Sequence, residues 1–303
     1  TSLFSLMRNL GGSVGIALVA TTLSRRAQVH ASILGSNVTA FNPQASSMLN
    51  GARASFMAHG ADWIKLFPTG GYTFDAAGKA RYQLTYPMPV LQALIDEAHK
   101  RRLKLTGHLC SVTYGEAADL GIDNLEHGFM AATDFVGSKQ PDVCPGQATG
   151  QRTVADLEES APAFQSLVKK LVDRHVALTS TLTVFETFTP GRSMPPGTEV
   201  LLPQLKETFE QAYQRVQGNQ QSIYKTLFPK GMALERAFVK AGGLLVAGTD
   251  PTGSGGVIPG FSNQRQIELL VEAGFTPVEA ISIGTLNGAK YLGRDAAVGS
   301  IAA

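Results

Sequence analysis

At 303 residues, with 44% hydrophobic and 17% charged side chains, the chain has the makeup of a globular protein with a large core. A net charge of +2 gives no footing for a polyelectrolyte partner, so neither nucleic acid nor an acidic surface is expected. The two cysteines, Cys110 and Cys144, stand in no metal-type spacing; no disulfide framework is expected, and a reducing, cytoplasmic compartment is compatible.

Residues 1–60 form a segment of their own. An uncharged stretch from Asn9 to Ser24 is bracketed by Arg8 and by Arg25-Arg26. It falls short of the roughly 20 apolar residues that span a bilayer, and it lacks a clear signal-peptide pattern. Gly11, Gly12 and Gly15 suit close helix packing in lipid. A buried or interfacial helix and a membrane contact of residues 1–30 both fit. A polar stretch rich in Ser, Asn, Gln and Ala follows, with no strand signal.

After Ala61 short apolar runs alternate with amphipathic helices, the pattern of βα units around a parallel sheet. Strands are expected at 63–67, 103–109, 122–127, 176–184 and 243–249. The fourth contains the Thr-rich, β-forming run Ala177-Leu-Thr-Ser-Thr-Leu-Thr-Val. Helices are expected at 89–101, 113–120, 160–173, 203–227, 232–241, 263–273 and from 277. The last opens with Thr276, Pro277 and Glu279 in a capping-box arrangement. Five strands are about three fewer than an eight-stranded βα barrel requires.

Four of these strands end in a polar residue able to hold a metal or move a proton: Lys65, His108, His127 and Asp250. A parallel barrel brings successive strand ends to one rim, where residues far apart in sequence converge. Lys65 lies inside the apolar Trp63-Ile-Lys65-Leu-Phe and needs a partner. Either it is a rim lysine paired to a carboxylate, or burial deprotonates it and carbon dioxide converts it to a metal-bridging carbamate. His108 and His127, on consecutive strands, suit zinc or another borderline divalent ion. Asp250, in Gly248-Thr-Asp250-Pro251, is either a turn cap or a metal ligand and proton shuttle. His99 sits on a charged helix face and reads as solvated, and His175 lies at the opposite end of its strand. Cys110 reads as a small buried residue, and Glu126 should point away from His127 on its strand. Loops at Gly70 to Tyr72 and Gly253 to Gly256 read as rim loops near substrate.

These residues carry a resemblance to a known family. From about Ala61 onward, Gly60-Ala-Asp-Trp-Ile-Lys65, Gly107-His108, Ile122-Asp-Asn-Leu-Glu-His127-Gly and Gly248-Thr-Asp250 resemble motifs of the amidohydrolase superfamily. They are most similar to the imidazolonepropionase-like and prolidase-like members with a carboxylated lysine. Thr285-Leu-Asn-Gly-Ala-Lys-Tyr-Leu-Gly resembles the helix after that family's barrel. The resemblance implies Lys65 as bridging carbamate, His108 and His127 on the outer metal, and Asp250 on the inner metal as acid and base. It departs from the family in lacking the first-strand His-x-His pair and the accessory β-sandwich strands. The chain also stops at Ala303, before the usual Gly-Lys-x-Ala-Asp stretch. Residues 1–60, through Leu6-Met-Arg-Asn-Leu-Gly-Gly-Ser-Val-Gly-Ile-Ala and Arg25-Arg-Ala-Gln-Val-His, resemble a fragment of a major facilitator superfamily drug-efflux transporter.

The expected fold class is therefore α/β: an incomplete (β/α)8 TIM barrel lacking its first strands over 61–303, with a foreign helical segment at 1–60. The expected function is metal-dependent hydrolysis of C–N bonds in a small-molecule or dipeptide-like substrate, impaired by loss of the His-x-His pair. An inactive scaffold or a membrane-associated fusion fragment are the other readings.

Overall fold

Each of the five apolar runs after Ala61 forms a strand, and together they make one parallel sheet. The computed structural model describes residues 63–66, 72–74, 80–82, 87–250 and 258–301. In chain order the sheet strands are β1 (Trp63–Leu66), β4 (Lys104–Gly107), β5 (Asn124–Glu126), β6 (Ala177–Ser180) and β7 (Leu245–Ala247), and they lie side by side in that order. Between β1 and β4 in sequence, β2 (Tyr72–Phe74) and β3 (Ala80–Tyr82) pair antiparallel, Thr73 opposite Arg81. That hairpin belongs to a separate compact unit, and the sequence reading did not foresee it.

Crossover helices connect the parallel strands, as parallel pairing requires. α1 (Met88–Lys100) joins β1 to β4 and buries Leu91, Ile95 and Ala98, one stripe at helical spacing. α2 (Tyr114–Leu120) joins β4 to β5. Thr113 and Glu116 cap it reciprocally, and Gly121 ends it at φ +91°. α3 (Gln147–Ala155) and α4 (Pro162–Asp173) precede β6; α4 buries Phe164, Leu167, Val168 and Leu171. α5 (Leu182–Glu186), a short 3₁₀ turn at Thr198–Val200, α6 (Pro203–Gly218) and α7 (Tyr224–Lys240) fill the chain between β6 and β7. After β7 come α8 (Phe261–Glu272), α9 (Pro277–Gly284) and α10 (Leu286–Tyr291). The capping box expected at Thr276 and Glu279 is present.

The register sorts side chains onto two faces. One row across the sheet reads Leu66, Gly107, Leu125, Leu178, Leu245. Its four leucines join the helix-packed core, each contributing about 1.5–3 kcal/mol by burial. At Gly107 the side chain of Leu109 occupies the missing position, with Leu109 Cδ2 2.8 Å from where a Cβ would stand. The neighbouring row, on the opposite face, reads Lys65, Thr106, Asn124, Ala177. This second face is polar toward the strands' C-terminal ends. At its other end it is closed by Tyr291, which packs on Ala177 and Val246, meets the Trp63 ring at a tilt with centroids 5.4 Å apart, and lies under Lys104 Nζ at 4.8 Å.

Some expected elements are redrawn. The strand expected to run to residue 184 ends at Ser180, and Leu182–Glu186 is helical. Its Leu182 and Phe185 are buried at helical spacing, which overrides the β-preference of threonine. The single helix expected over 203–227 is two: α6 stops at Gly218, and α7 begins at Tyr224 and continues through Pro229. Helix α3 was not foreseen. The transporter-like helical segment, Gly70-Gly71 and Gly253 to Gly256 lie outside the described residues. Among the described residues no helix is long and apolar enough to cross a membrane.

Candidate functional site

Three of the four predicted residues come near one another beyond the C-terminal ends of β4, β5 and β7. His108 follows β4 directly and is tied back by its N–H to Leu66 O at 3.1 Å. His127 follows β5 at φ +72°, and Gly128 after it at φ +56°. These two left-handed residues turn the chain off the strand and aim the buried His127 ring beside His108, the centroids 4.5 Å apart and edge to face. Asp250, itself at φ +45°, places Oδ2 3.9 Å from His127 Nδ1. The backbone at this strand end is anchored by Gly248 N–H, which donates to Ser180 O at 2.8 Å.

Both imidazoles are held neutral. Burial, followed by the nearby Lys65 charge, lowers the pKa of His108 to about 4, with Asp250 pulling the other way. Burial first, then His108 and Lys65, hold His127 well below the usual imidazole value. His127 Nδ1 lies 2.9 Å from Thr181 Oγ1. Its Nε2 is buried and has no hydrogen-bond partner among the described residues. A buried polar nitrogen is normally satisfied, so this atom is suited to a group that supplies an empty orbital. Neutral imidazole nitrogens are the donors that divalent zinc prefers.

The fit to a cation is partial. Among the described residues no group of three or more His, Cys, Asp or Glu side chains comes together to hold a metal ion. Asp250 approaches the Nδ1 side of His127, away from Nε2. Lys65 stands on the same face, in an ion pair with Glu126: its Nζ lies 3.5 Å from Glu126 Oε2. Of the two expectations for Lys65, the rim lysine paired to a carboxylate describes this geometry.

Glu126 corrects the sequence reading. It was expected to face away, yet it lies on the polar face, buried, with Thr106 Oγ1 donating to Oε1 at 3.0 Å. Alternation along β5 holds for Asn124 and Glu126, and it is His127 that breaks step through its left-handed turn. His99 is also reassigned: it is not merely solvated, since its Nε2 sits 2.8 Å from Asp123 Oδ2. His175 precedes β6 at the far end, as expected. Cys110 is buried, but it is bonded to Cys144 across a Cα–Cα distance of 4.9 Å. The expectation of no disulfide is thereby overturned; spacing along the chain carries no information about two loops folded onto one another. The bond sits two residues from His108 and is at odds with the reducing-compartment reading.

The sequence reading missed Thr181, Tyr114 and Glu235. The Tyr114 hydroxyl lies 2.7 Å from Glu126 O and 3.0 Å from Gly128 O, holding the turn that bears His127. Glu235 had a legible signal: it falls on the buried stripe of α7 with Leu227, Gly231, Leu234 and Phe238, where an acid is out of place.

Residues 223–303 match the family model described as the amidohydrolase family. No curated protein matches the chain. Similar solved structures include a Xaa-Pro dipeptidase with bound methionine in the active site, at 17% identity and TM-score 0.48, covering 82% of this chain and 47% of that one. Bottromycin amidohydrolase is 19% identical with TM-score 0.48, covering 81% and 50%. The ochratoxinase of A. niger is 17% identical with TM-score 0.43, covering 80% and 41%. The chain thus spans about half the length of these structures or less.

Proposed function

We propose that this chain is a metal-dependent amidohydrolase acting on C–N bonds of peptide-like or cyclic amides, with Lys65, His108, His127 and Asp250 around a divalent cation, zinc foremost. The observation that carries the reading is the buried, unpartnered Nε2 of His127 beside the His108 ring. The family match over 223–303, which includes Asp250, supports it. When bound, such a cation polarises an amide carbonyl and acidifies a water molecule. The residues of the chain prepare the rest. Neutral His108 and His127 keep their lone pairs at physiological pH without first losing a proton. With Nδ1–H of His127 donating a hydrogen bond to Thr181 Oγ1, Nε2 is left as the donor atom toward the cation. Asp250 accepts a proton and returns it to the leaving amine. Lys65 would join as a carbamate, formed from its neutral amine and carbon dioxide with loss of a proton to solvent, only after leaving Glu126, whose carboxylate stays hydrogen-bonded to Thr106. The partner is a small-molecule or dipeptide-like substrate, with turnover weak because the chain carries no His-x-His pair.

Metal analysis of the purified chain tests this, together with zinc-supplemented hydrolysis of N-acyl amino acids and Xaa-Pro dipeptides. Stoichiometric zinc that is lost in His127→Ala is the expected result. The Lys65–Glu126 ion pair and the absence of a three-donor group among the described residues favour a second reading, an inactive scaffold. A chain that takes up no zinc, with or without the substitution, decides for the scaffold.

A further inference from the structure

Behind the strand ends, on the helix-packed side of the sheet, a second polar cluster is left unused by the metal reading. Glu235 of α7 is fully buried, and its Oε2 accepts a hydrogen bond from Ser180 Oγ at 2.7 Å. Ser180 Oγ in turn accepts one from Gln266 Nε2 at 2.9 Å, and Gln266 Oε1 accepts from Thr183 N–H at 3.1 Å. The second carboxyl oxygen of Glu235, Oε1, has no hydrogen-bond partner among the described residues. It packs against Gly128, where an added Cβ would overlap it. Full burial favours the protonated acid and pushes its pKa up to about 8, with the hydrogen bond donated by Ser180 pulling the other way.

Two routes lead from this carboxyl to His127. Gly128 is the second residue of the left-handed turn that swings the His127 ring off β5. Ser180 immediately precedes Thr181, whose hydroxyl meets His127 Nδ1, and the Ser180 carbonyl accepts from Gly248 N–H near Asp250. A single side chain therefore touches both the backbone that aims the imidazole and the strand end that supplies its hydrogen-bond partner.

We propose that Glu235 is a positioning residue for His127: its carboxyl fills the space left by Gly128 and anchors Ser180, which keeps Nδ1 on Thr181 and turns Nε2 into the site. The role of His127 as metal donor rests on the function proposed above, whereas the ring orientation is a property of the metal-free chain. Partners one layer behind a ligand commonly matter this much for metal affinity.

The test compares the full chain with Glu235→Gln and Glu235→Ala by imidazole ¹⁵N NMR without metal and by Co(II) titration. Wild type and Glu235→Gln, which keeps an acceptor for Ser180, are expected to show His127 as the single Nδ1-protonated tautomer and to bind Co(II) alike. Glu235→Ala is expected to show mixed tautomers and Co(II) binding about 10-fold weaker or more, while still melting cooperatively. Should Glu235→Ala not fold, Ser180→Ala is expected to show the same two losses. An unchanged His127 spectrum in a folded Glu235→Ala or Ser180→Ala variant overturns the proposal. So does a Glu235→Gln variant as damaged as Glu235→Ala. A wild type that shows the ordered tautomer but takes no Co(II) removes the metal reading alone, and the NMR comparison still decides the role of Glu235.

Discussion

His127 is where several weak local effects combine into one defined geometry. Its ring is buried and neutral, its Nδ1 is held by Thr181, and its backbone sits in a region that non-glycine residues rarely occupy. Such strain persists where surrounding contacts over-determine it, here Tyr114 on one side and Glu235 behind Gly128 on the other. Glu235 also sets a pH dependence whose sign follows from its raised pKa. Between the ordinary glutamate value of 4.5 and about 8, the folded chain keeps a proton that the unfolded chain has released. Stability contributed at this residue is therefore full below 4.5, falls by about 1.4 kcal/mol per pH unit across that window, and is level above it. Glu235→Gln titrates in neither state. Urea unfolding of both proteins across the window should show the advantage of the glutamine variant growing with pH and then flattening near pH 8.

At the level of elements, the strand-end turns decide what the sheet presents. β5 delivers Asn124 and Glu126 to the polar face by simple alternation, while the two-residue turn after it delivers His127 to the same face out of step. Gly128 is required there twice over, for its φ of +56° and for the close approach of Glu235. Gly128→Ala should lower unfolding stability by about 2 kcal/mol or more, through backbone strain and overpacking together. Chemical denaturation measures the loss, and the Glu235→Ala/Gly128→Ala pair should recover part of it, because the overlap is then relieved. By contrast the crossover helices depend on patterns read locally. α1 and α4 each carry a proline in the first turn and bury an apolar stripe, and α2 and α9 carry reciprocal caps.

Across the molecule, the five-stranded parallel sheet separates a helix-packed apolar core from a polar face that carries Lys65, Thr106, Asn124 and Glu126. The Cys110–Cys144 bond joins the loop after β4 to the segment ahead of α3, across a sequence separation of 34. A cross-link of this span stabilises by about 3–4 kcal/mol through the entropy it removes from the unfolded chain. Melting with and without a dithiol reductant checks this, and Cys144→Ser should reproduce the reduced protein. An unchanged melting temperature on reduction would count against the bond in solution.

Periodicity along the chain was enough to place the five strands and most of the crossover helices, and the Thr276–Glu279 cap of α9 was legible beside it, whereas the Thr113–Glu116 cap of α2 was not foreseen. These are dictated by residues within a turn or two of each other, so local patterns carry them. It also picked out Lys65, His108, His127 and Asp250 as polar residues closing apolar strands, and the structure brings the last three near one another. Glu126, Thr181, Glu235 and the Cys110–Cys144 bond were beyond its reach, or read wrongly. Each depends on which residue from a distant segment stands opposite: Lys65 and Thr106 against Glu126, Ser180 and Gly128 against Glu235. That pairing is set by the register of parallel strands and by a left-handed turn, neither of which leaves a periodic trace in one dimension.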